Sequence, residues 1–321
     1  MASWATFGND LFTGKRSINF VGRRRIWFTI AISLIIVMGA ITGIRGGFAF
    51  GIEFRGGSQF QIQNVQNDDT TVASDAVIAV VPSAHPVVTT LGRDGISVQT
   101  DQLTNTVSND VADALASAYH VSPTKVTSSF IGPSWGADIS QKAIQALIVF
   151  VILVALVMAI YFRTWKMAAA AMIALGHDLI ITALVYGVTG VEITPAAVIG
   201  FLTILGYSLY DSVVVFDKIR ENTRDEGGRA VRTFGEAVNF AVNQTLIRSI
   251  NTSVVAALPV ASILFIGSFV LGAGTLQDIS LALLIGMIAG TYSTIFIAAP
   301  LYALFRAVSY THLTLPTKRI V

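Results

Sequence analysis

Ala143–Phe162 reads AIQALIVFVILVALVMAIYF, an apolar run without a single charge, and it decides the fold. A stretch of this length crosses the ~30 Å hydrocarbon core of a bilayer as a helix. Ile26–Ile44, Met167–Val188, Pro195–Phe216, Leu246–Gly267 and Ile279–Leu304 read the same way. The composition agrees: 53% of the 321 residues are hydrophobic and only 12% charged, against about 25% charged in soluble domains. The sequence therefore predicts an α-helical membrane protein with six transmembrane helices. The net charge of +2 carries no basic excess that would suit nucleic acid. With no cysteine, disulfides, thiol nucleophiles and Cys-based metal sites are excluded. The basic run before the first span leads into a full-length apolar stretch with no small-residue cleavage site, so the first span is expected to stay as an anchor.

Positive charge orients the spans. Lys15, Arg16, Arg23, Arg24 and Arg25 precede the first, and Arg163 and Lys166 bracket the turn between the second and third. Lys218, Arg220, Arg224, Arg229 and Arg232 fill the loop between the fourth and fifth, and Arg306 follows the sixth. All fall on one side, which is expected to be the cytoplasm. The expected organisation is a cytoplasmic segment 1–25, a first span 26–44, an extracytoplasmic domain 45–141, and spans two to six within 142–307 with a cytoplasmic loop 217–244.

Residues 45–141 read as an α+β domain. Phe50–Gln63 alternates and reads as a strand, Val72–Val81 as a short helix, and Val87–Leu91 and Ile96–Thr100 as a hairpin around Gly92-Arg93-Asp94-Gly95. Leu103, Val107, Val111, Leu115 and Ala118 recur at helical spacing over Leu103–Tyr119, and Lys125–Ile131 closes the domain as a strand. The order β-α-β-β-α-β is that of a ferredoxin-like split motif. Gly56-Gly57 and Gly132-Pro133 stand where the domain meets the first two spans, and they read either as simple linker geometry or as hinges coupling helix movement to the domain. In the last span Gly286 and Gly290 have the GxxxG spacing of close helix packing.

Three places put ionisable groups inside the spans, where each costs roughly 2.5–3.5 kcal/mol at a helix centre. They are His177-Asp178 in the third, Asp211 in the fourth and Arg248 in the fifth. Asp211 lies six residues before Asp217, roughly 9 Å inside, and Arg248 four residues after Gln244, roughly 6 Å inside. Antiparallel neighbours would bring them to similar depth. Thr203, Tyr207 and Asp211 share one helix face, as do Gln244, Arg248 and Thr252. The expectation is a pair in which a titratable acid gains and loses attraction to a permanent cation. A static salt bridge, or Arg248 snorkelling to the interface, satisfies the same spacing. Asp178 with His177 reads either as a second proton relay or as a helix-packing hydrogen bond. Glu192 and Asp278 fall in outer loops, where solvation is expected. The spans hold no paired carboxylates at catalytic spacing, no G-x-S-x-G, no Walker motif and no H-E-x-x-H, so neither an enzyme nor a cofactor is expected.

GIEFRGG (Gly51–Gly57), IGPSWG (Ile131–Gly136), GHD (Gly176–Asp178), GYSLYDSVVVFDKIREN (Gly206–Asn222), NQTLIRSINTS (Asn243–Ser253) and GTYSTIFIA (Gly290–Ala298) together resemble the SecF family of protein-export membrane subunits. The likeness runs from Ile18 to about Arg306. It implies half of a transporter of the resistance–nodulation–division superfamily, with SecD as the other half. It also implies a proton-driven role in late-stage preprotein export beside the SecYEG channel and YajC, in the bacterial plasma membrane with the N-terminus cytoplasmic. The family's transmembrane acid falls on Asp211 and its cation on Arg248. Departures from the family pattern are Glu53 where Asp is common, Tyr210 where Asn is common, and Trp135 where a smaller residue is common. Tyr210 adjoins the acid and bears on its hydrogen-bond partner.

A small-molecule exporter half of the same superfamily would need a larger porter domain than residues 45–141 provide. A scaffold that only stabilises a channel would use Asp211 and Arg248 as static glue. From Val308 the sequence VSYTHLTLPTKRIV drops the apolar pattern, and Val308–Thr317 resembles one translation frame of a transposase sequencing adaptor. The native sequence is expected to stop near Ala307, its real C-terminus replaced by a non-native tail over 308–321, with an ordinary polar tail as the alternative.

Overall fold

The computed structural model describes residues 4–67, 69–91, 94–162, 164–223, 233–267 and 274–311. It is a helical membrane protein with a small α+β domain between its first two spans. Six helices are long and apolar enough to cross a bilayer: Arg24–Ile44, Ser134–Phe162, Trp165–Thr189, Pro195–Asn222, Phe234–Gly267 and Leu276–Arg306.

A short helix α1 (Trp4–Thr13) precedes the first span, α2 (Arg24–Ile44). It lies against the fifth span, where Gly8 leaves room for Ile247. The domain follows as α3 (Ile52–Arg55), β1 (Gly57–Gln63), α4 (Thr70–Val80), β2 (Val87–Leu91), β3 (Gly95–Thr100), α5 (Asn105–Ala118) and β4 (Val126–Ile131). The four strands form an antiparallel sheet in the order β2-β3-β1-β4. Phe60 pairs with Val98 on one side and Ser128 on the other, which sets the pleat. One face carries Phe60, Ile62, Ile96 and Val98, fully buried against Val77, Val111 and Leu115 of α4 and α5. The opposite face carries Gln59, Gln61, Thr89, Ser97 and Gln99. Tyr119 closes the helical side by donating its hydroxyl to the carbonyl of Asp69 at 2.7 Å.

Two expectations change here. Phe50–Gln63 is not one strand: Ile52–Arg55 makes a single helical turn, and β1 starts only at Gly57. The break lies at Gly56 (φ 75°) and Gly57 (φ 132°), conformations that side-chain-bearing residues rarely adopt. A side chain at Gly57 would also run into the carbonyl oxygen of Thr100. The second span likewise begins earlier than its apolar run, because α6 (Pro133–Phe162) is one helix from the domain into the membrane. Pro133 heads it, where its missing N–H costs nothing. Gly132 is the one residue between β4 and α6, and nothing lies within 4 Å of where its Cβ would be.

The remaining spans are α7 (Trp165–Thr189), α8 (Pro195–Asn222), α9 (Phe234–Ser262), and α10 (Gly274–Ser293) continued by α11 (Ala299–Thr311). Wide turns at Ile263–Gly267 and Thr294–Ala298 extend α9 and join α10 to α11. Gly190 (φ 76°) ends α7. Thr194 caps α8, its hydroxyl accepting from the Ala197 N–H at 3.2 Å. Thr233 and Glu236 form a reciprocal capping box at the start of α9. Small residues let α10 approach α8 closely. A Cβ at Gly200 would meet that of Ala282 at 2.7 Å, one at Gly290 would meet Ser208 at 3.0 Å, and one at Gly286 would overlap Ile204. The Arg163, Arg224, Arg229 and Arg232 positions, the Gly92-Arg93 turn and residues 312–321 lie outside the described residues.

Candidate functional site

Helix α8 sits between α7, α9 and α10, and its polar residues reach partners on more than one neighbour. Tyr207 donates its hydroxyl to Ser253 Oγ on α9 at 3.4 Å, and Ser253 in turn bonds Thr291 on α10. Ser208 donates to Asp178 Oδ2 on α7 at 2.5 Å. Ser212 pairs with Thr294 at 2.9 Å. Asp211 accepts from Ser249 on α9 at 2.7 Å through Oδ1. Its Oδ2 is buried with no hydrogen-bond partner among the described residues, and the residue as a whole is 7% exposed. A tyrosine and three polar side chains within two turns would be costly in lipid, and each is offset by a partner inside the bundle.

Asp178 is fully buried and holds a second node. His177 Nδ1 lies 3.3 Å from its Oδ1, and its own carbonyl accepts from Thr182 at 2.7 Å. His177 Nε2 is buried without a partner among the described residues, and the ring lies 6.0 Å from that of Tyr292. Asp178 on α7 thus reaches α8 at Ser208, about one helical turn before Asp211, which α8 itself presents to Ser249 on α9.

The expected direct pair of Asp211 and Arg248 is not formed. Ion pairs within 4.0 Å among the described residues include Arg16–Asp10 and Lys218–Glu221, and no such contact joins Asp211 to Arg248. The reason is helical phase. Ser249 faces α8, and Arg248 lies about 100° round α9 from it, on the exposed side. Its guanidinium reaches Asp211 only as a longer-range charge. The supporting polar residues divide in the same way. Gln244 donates to the carbonyl of Phe12 at 3.3 Å and accepts from Asn222 at 2.8 Å, which ties the loop-side ends of α8 and α9 to α1. Thr252 is half-buried, and Tyr210 is 55% exposed, facing away from the carboxylate it adjoins in sequence. Ser249 and Ser208 are the partners that the sequence reading missed. Their signal was a hydroxyl next to each singled-out charge, one residue after Arg248 and three before Asp211.

The expectation of solvated outer acids is also overturned. Glu192, between α7 and α8, accepts from Thr89 Oγ1 at 2.8 Å and from Gln99 Nε2 at 2.6 Å, so it docks on the polar face of the sheet. Asp278 accepts from Thr194 Oγ1 at 2.6 Å through Oδ2, and its carbonyl accepts from the Tyr186 hydroxyl at 2.6 Å. Both acids line a cavity of about 700 Å³ between the sheet and the span ends, together with Arg45 and Glu53. Burial holds Glu192 above the ordinary carboxylate range and nearby Glu53 adds to this, against the hydrogen bonds from Thr89 and Gln99. No group of three or more His, Cys, Asp and Glu side chains among the described residues is placed to hold a metal ion.

The family profile described as the C-terminal region of protein export membrane protein SecD/SecF matches residues 110–308. The protein translocase subunit SecF of Streptomyces coelicolor is 45% identical over 305 residues, covering 94% of this chain and 80% of that protein. The chain belongs to the SecF family. It is therefore an export membrane protein of a transport family rather than an enzyme. SecF of Mycobacterium tuberculosis is 39% identical over 311 residues, covering 94% of this chain and 70% of that protein. The crystal structure of SecDF from Thermus thermophilus, a translocon-associated membrane protein, superposes with a TM-score of 0.78 at 28% identity. That match covers 91% of this SecF-family chain and 39% of the SecDF chain, so this chain spans about two fifths of its length.

Proposed function

We propose that this chain is the SecF half of a SecD–SecF pair that draws on the proton gradient to complete preprotein export beside the SecYEG channel, with YajC as a further partner. The pair would lie in the bacterial plasma membrane, with the chain's N-terminus cytoplasmic and the sheet domain outside. Asp211 carries the reading. It is a titratable group buried inside a span, held through one oxygen by Ser249 and unpartnered at the other. Such a group is retained in a membrane only where its charge is used or matched. Proton uptake would remove its charge and turn one oxygen into a donor, which changes what α8 can bond to on α9.

Partnership with SecD is supported by the exposed face of α8 and α9. Tyr210 on α8 and Arg248 and Asn251 on α9 are exposed within membrane-spanning segments. Lipid satisfies none of these groups, and a second membrane chain would. The Thermus relative carries both halves in one chain, and the match covers only one of them. Arg248 would then meet its counter-charge across that interface and act on Asp211 through the shared contact.

The test is Asp211→Asn, which keeps volume and removes the titrating group. Late-stage export is followed in vesicles with and without a proton gradient, alongside co-purification with SecD. The expected result is loss of gradient-stimulated export with the complex intact. Undiminished gradient stimulation would refute the reading.

A further inference from the structure

Three consecutive residues between α7 and α8 fasten the sheet domain to the spans. Glu192 reaches the sheet, one oxygen on β2 at Thr89 and the other on β3 at Gln99. Ile193 pairs with the segment leaving the first span, donating its N–H to Ala49 at 2.7 Å and accepting from Gly51 at 3.0 Å. Its side chain is buried among Tyr186, Phe201 and Ala282 of three spans. Thr194 caps α8 and donates to Asp278 at the start of α10. Whatever moves the start of α8 therefore pulls on the sheet.

The two partners of Glu192 differ in kind. The Gln99 amide nitrogen only donates, whereas the Thr89 hydroxyl both donates and accepts. An ionised Glu192 accepts from both. A protonated Glu192 accepts from Gln99 and donates its new O–H to Thr89, so both hydrogen bonds survive. What changes is the charge, which burial and like charges oppose. The charged and titratable groups facing the cleft are Glu53 from α3, Asp278 from α10, and Arg45 at the end of α2. The Arg45 guanidinium donates to the Val188 carbonyl at 2.6 Å. Among the described residues the sheet contributes neutral groups at the contact, including Thr89, Ser97 and Gln99.

We propose that Glu192 is a second proton-binding group of this protein, just before the start of α8, which lies about 24 Å along the helix from Asp211, and that its protonation locks the sheet domain onto the spans while its ionisation loosens that contact. The sign follows from linkage. Docking of the sheet buries the Glu192 carboxyl and raises its proton affinity above that in the undocked, solvated loop, so proton binding favours the docked form and rising pH weakens it. Acid on the side of the sheet domain would thus hold the domain down, and a neutral outer face would free it. The consequence for export rests on the proton-driven reading above, whereas the docking equilibrium does not.

The test uses the full chain in nanodiscs. The absence of native cysteine permits spin labels at Asp75→Cys on α4 and Ile180→Cys on α7, both exposed positions. Acid buffer should give one narrow distance, and raising the pH should add a longer population. Glu192→Gln keeps an acceptor for Gln99 and a donor for Thr89 without charge, and it should stay narrow at every pH. Should that variant not fold, Glu53→Gln serves instead. Removing the like charge should move the transition to lower pH. A distance insensitive to pH, a longer population on acidification, a pH-responsive Glu192→Gln, or no shift in Glu53→Gln would overturn the proposal. Asp211→Asn should leave the label transition in place. Normal export by that variant would sink the coupling reading and leave the docking result standing.

Discussion

Ser249 donates its hydroxyl to Oδ1 of Asp211 across the α8–α9 contact at 2.7 Å, while Oδ2 of the same carboxyl is buried without a partner among the described residues. The serine therefore sets where the acid points and which oxygen is left to exchange a proton. Ser249→Ala leaves both oxygens unpaired. Stranding a buried acceptor costs about 1–3 kcal/mol, visible as a lower unfolding midpoint in detergent. Gradient-stimulated export should fall with it. Adding Asp211→Asn should cause less than the summed loss, because both changes act on one hydrogen bond. Additive losses would place Ser249 outside the coupling site.

Glycine at 286 is a packing requirement, and glycine at 39 is not. A Cβ at Gly286 would overlap Ile204 of α8, whereas nothing lies within 4 Å of one at Gly39 on α2. Gly286→Ala should force α10 away from α8 and destabilise the bundle by about 1–3 kcal/mol. Gly39→Ala should be neutral or slightly stabilising in the isolated chain. Thermal unfolding of the two variants side by side checks the contrast.

The two domain junctions should respond differently to the same substitution. Gly57 combines a φ of 132° with the Thr100 carbonyl at its Cβ position, and Gly132 has open space there. Gly57→Ala should strain the start of β1 by about 1–3 kcal/mol. It should raise hydrogen exchange along β1 and β3, which pair from Ser58–Thr100 to Gln63–Gly95. Gly132→Ala should leave exchange unchanged. Equal effects would mean that the left-handed backbone and the Thr100 contact at Gly57 do not set its response.

The spans were legible because hydropathy is a property of each residue, and a run such as Ala143–Phe162 has no alternative in water. The sheet domain was legible because its alternation and helical spacing are local. Helical phase was legible only in part. Tyr207 and Asp211 do both meet α9 while Thr203 is exposed, but which side of α9 meets α8 depends on packing that no single helix encodes. That is why Ser249, and not Arg248, holds the acid. Glu192 was misread for a related reason. A lone glutamate in a short loop looks solvated until the fold brings Thr89 and Gln99, from 103 and 93 residues away, onto its two oxygens. The break at Gly56-Gly57 was written in the glycines themselves, yet the alternating Phe and Ile pattern around them read as one strand.

Arg248 gives the sharpest test of partnership, because its two environments predict opposite signs. In the isolated chain it is an exposed cation within a membrane-spanning helix and forms no ion pair within 4.0 Å among the described residues. An arginine at a helix centre costs roughly 2.5–3.5 kcal/mol on insertion scales, less near the interface. Arg248→Leu should therefore raise the unfolding midpoint of the chain alone. In the complex the same change removes the charge that a SecD acid would meet, so co-purification with SecD and gradient-stimulated export should both fall. Arg248→Lys keeps the charge but loses the planar fork, and it should restore assembly better than transport. Assembly and export untouched by Arg248→Leu would mean that the exposed polar face of α8 and α9 meets something other than a charged partner chain.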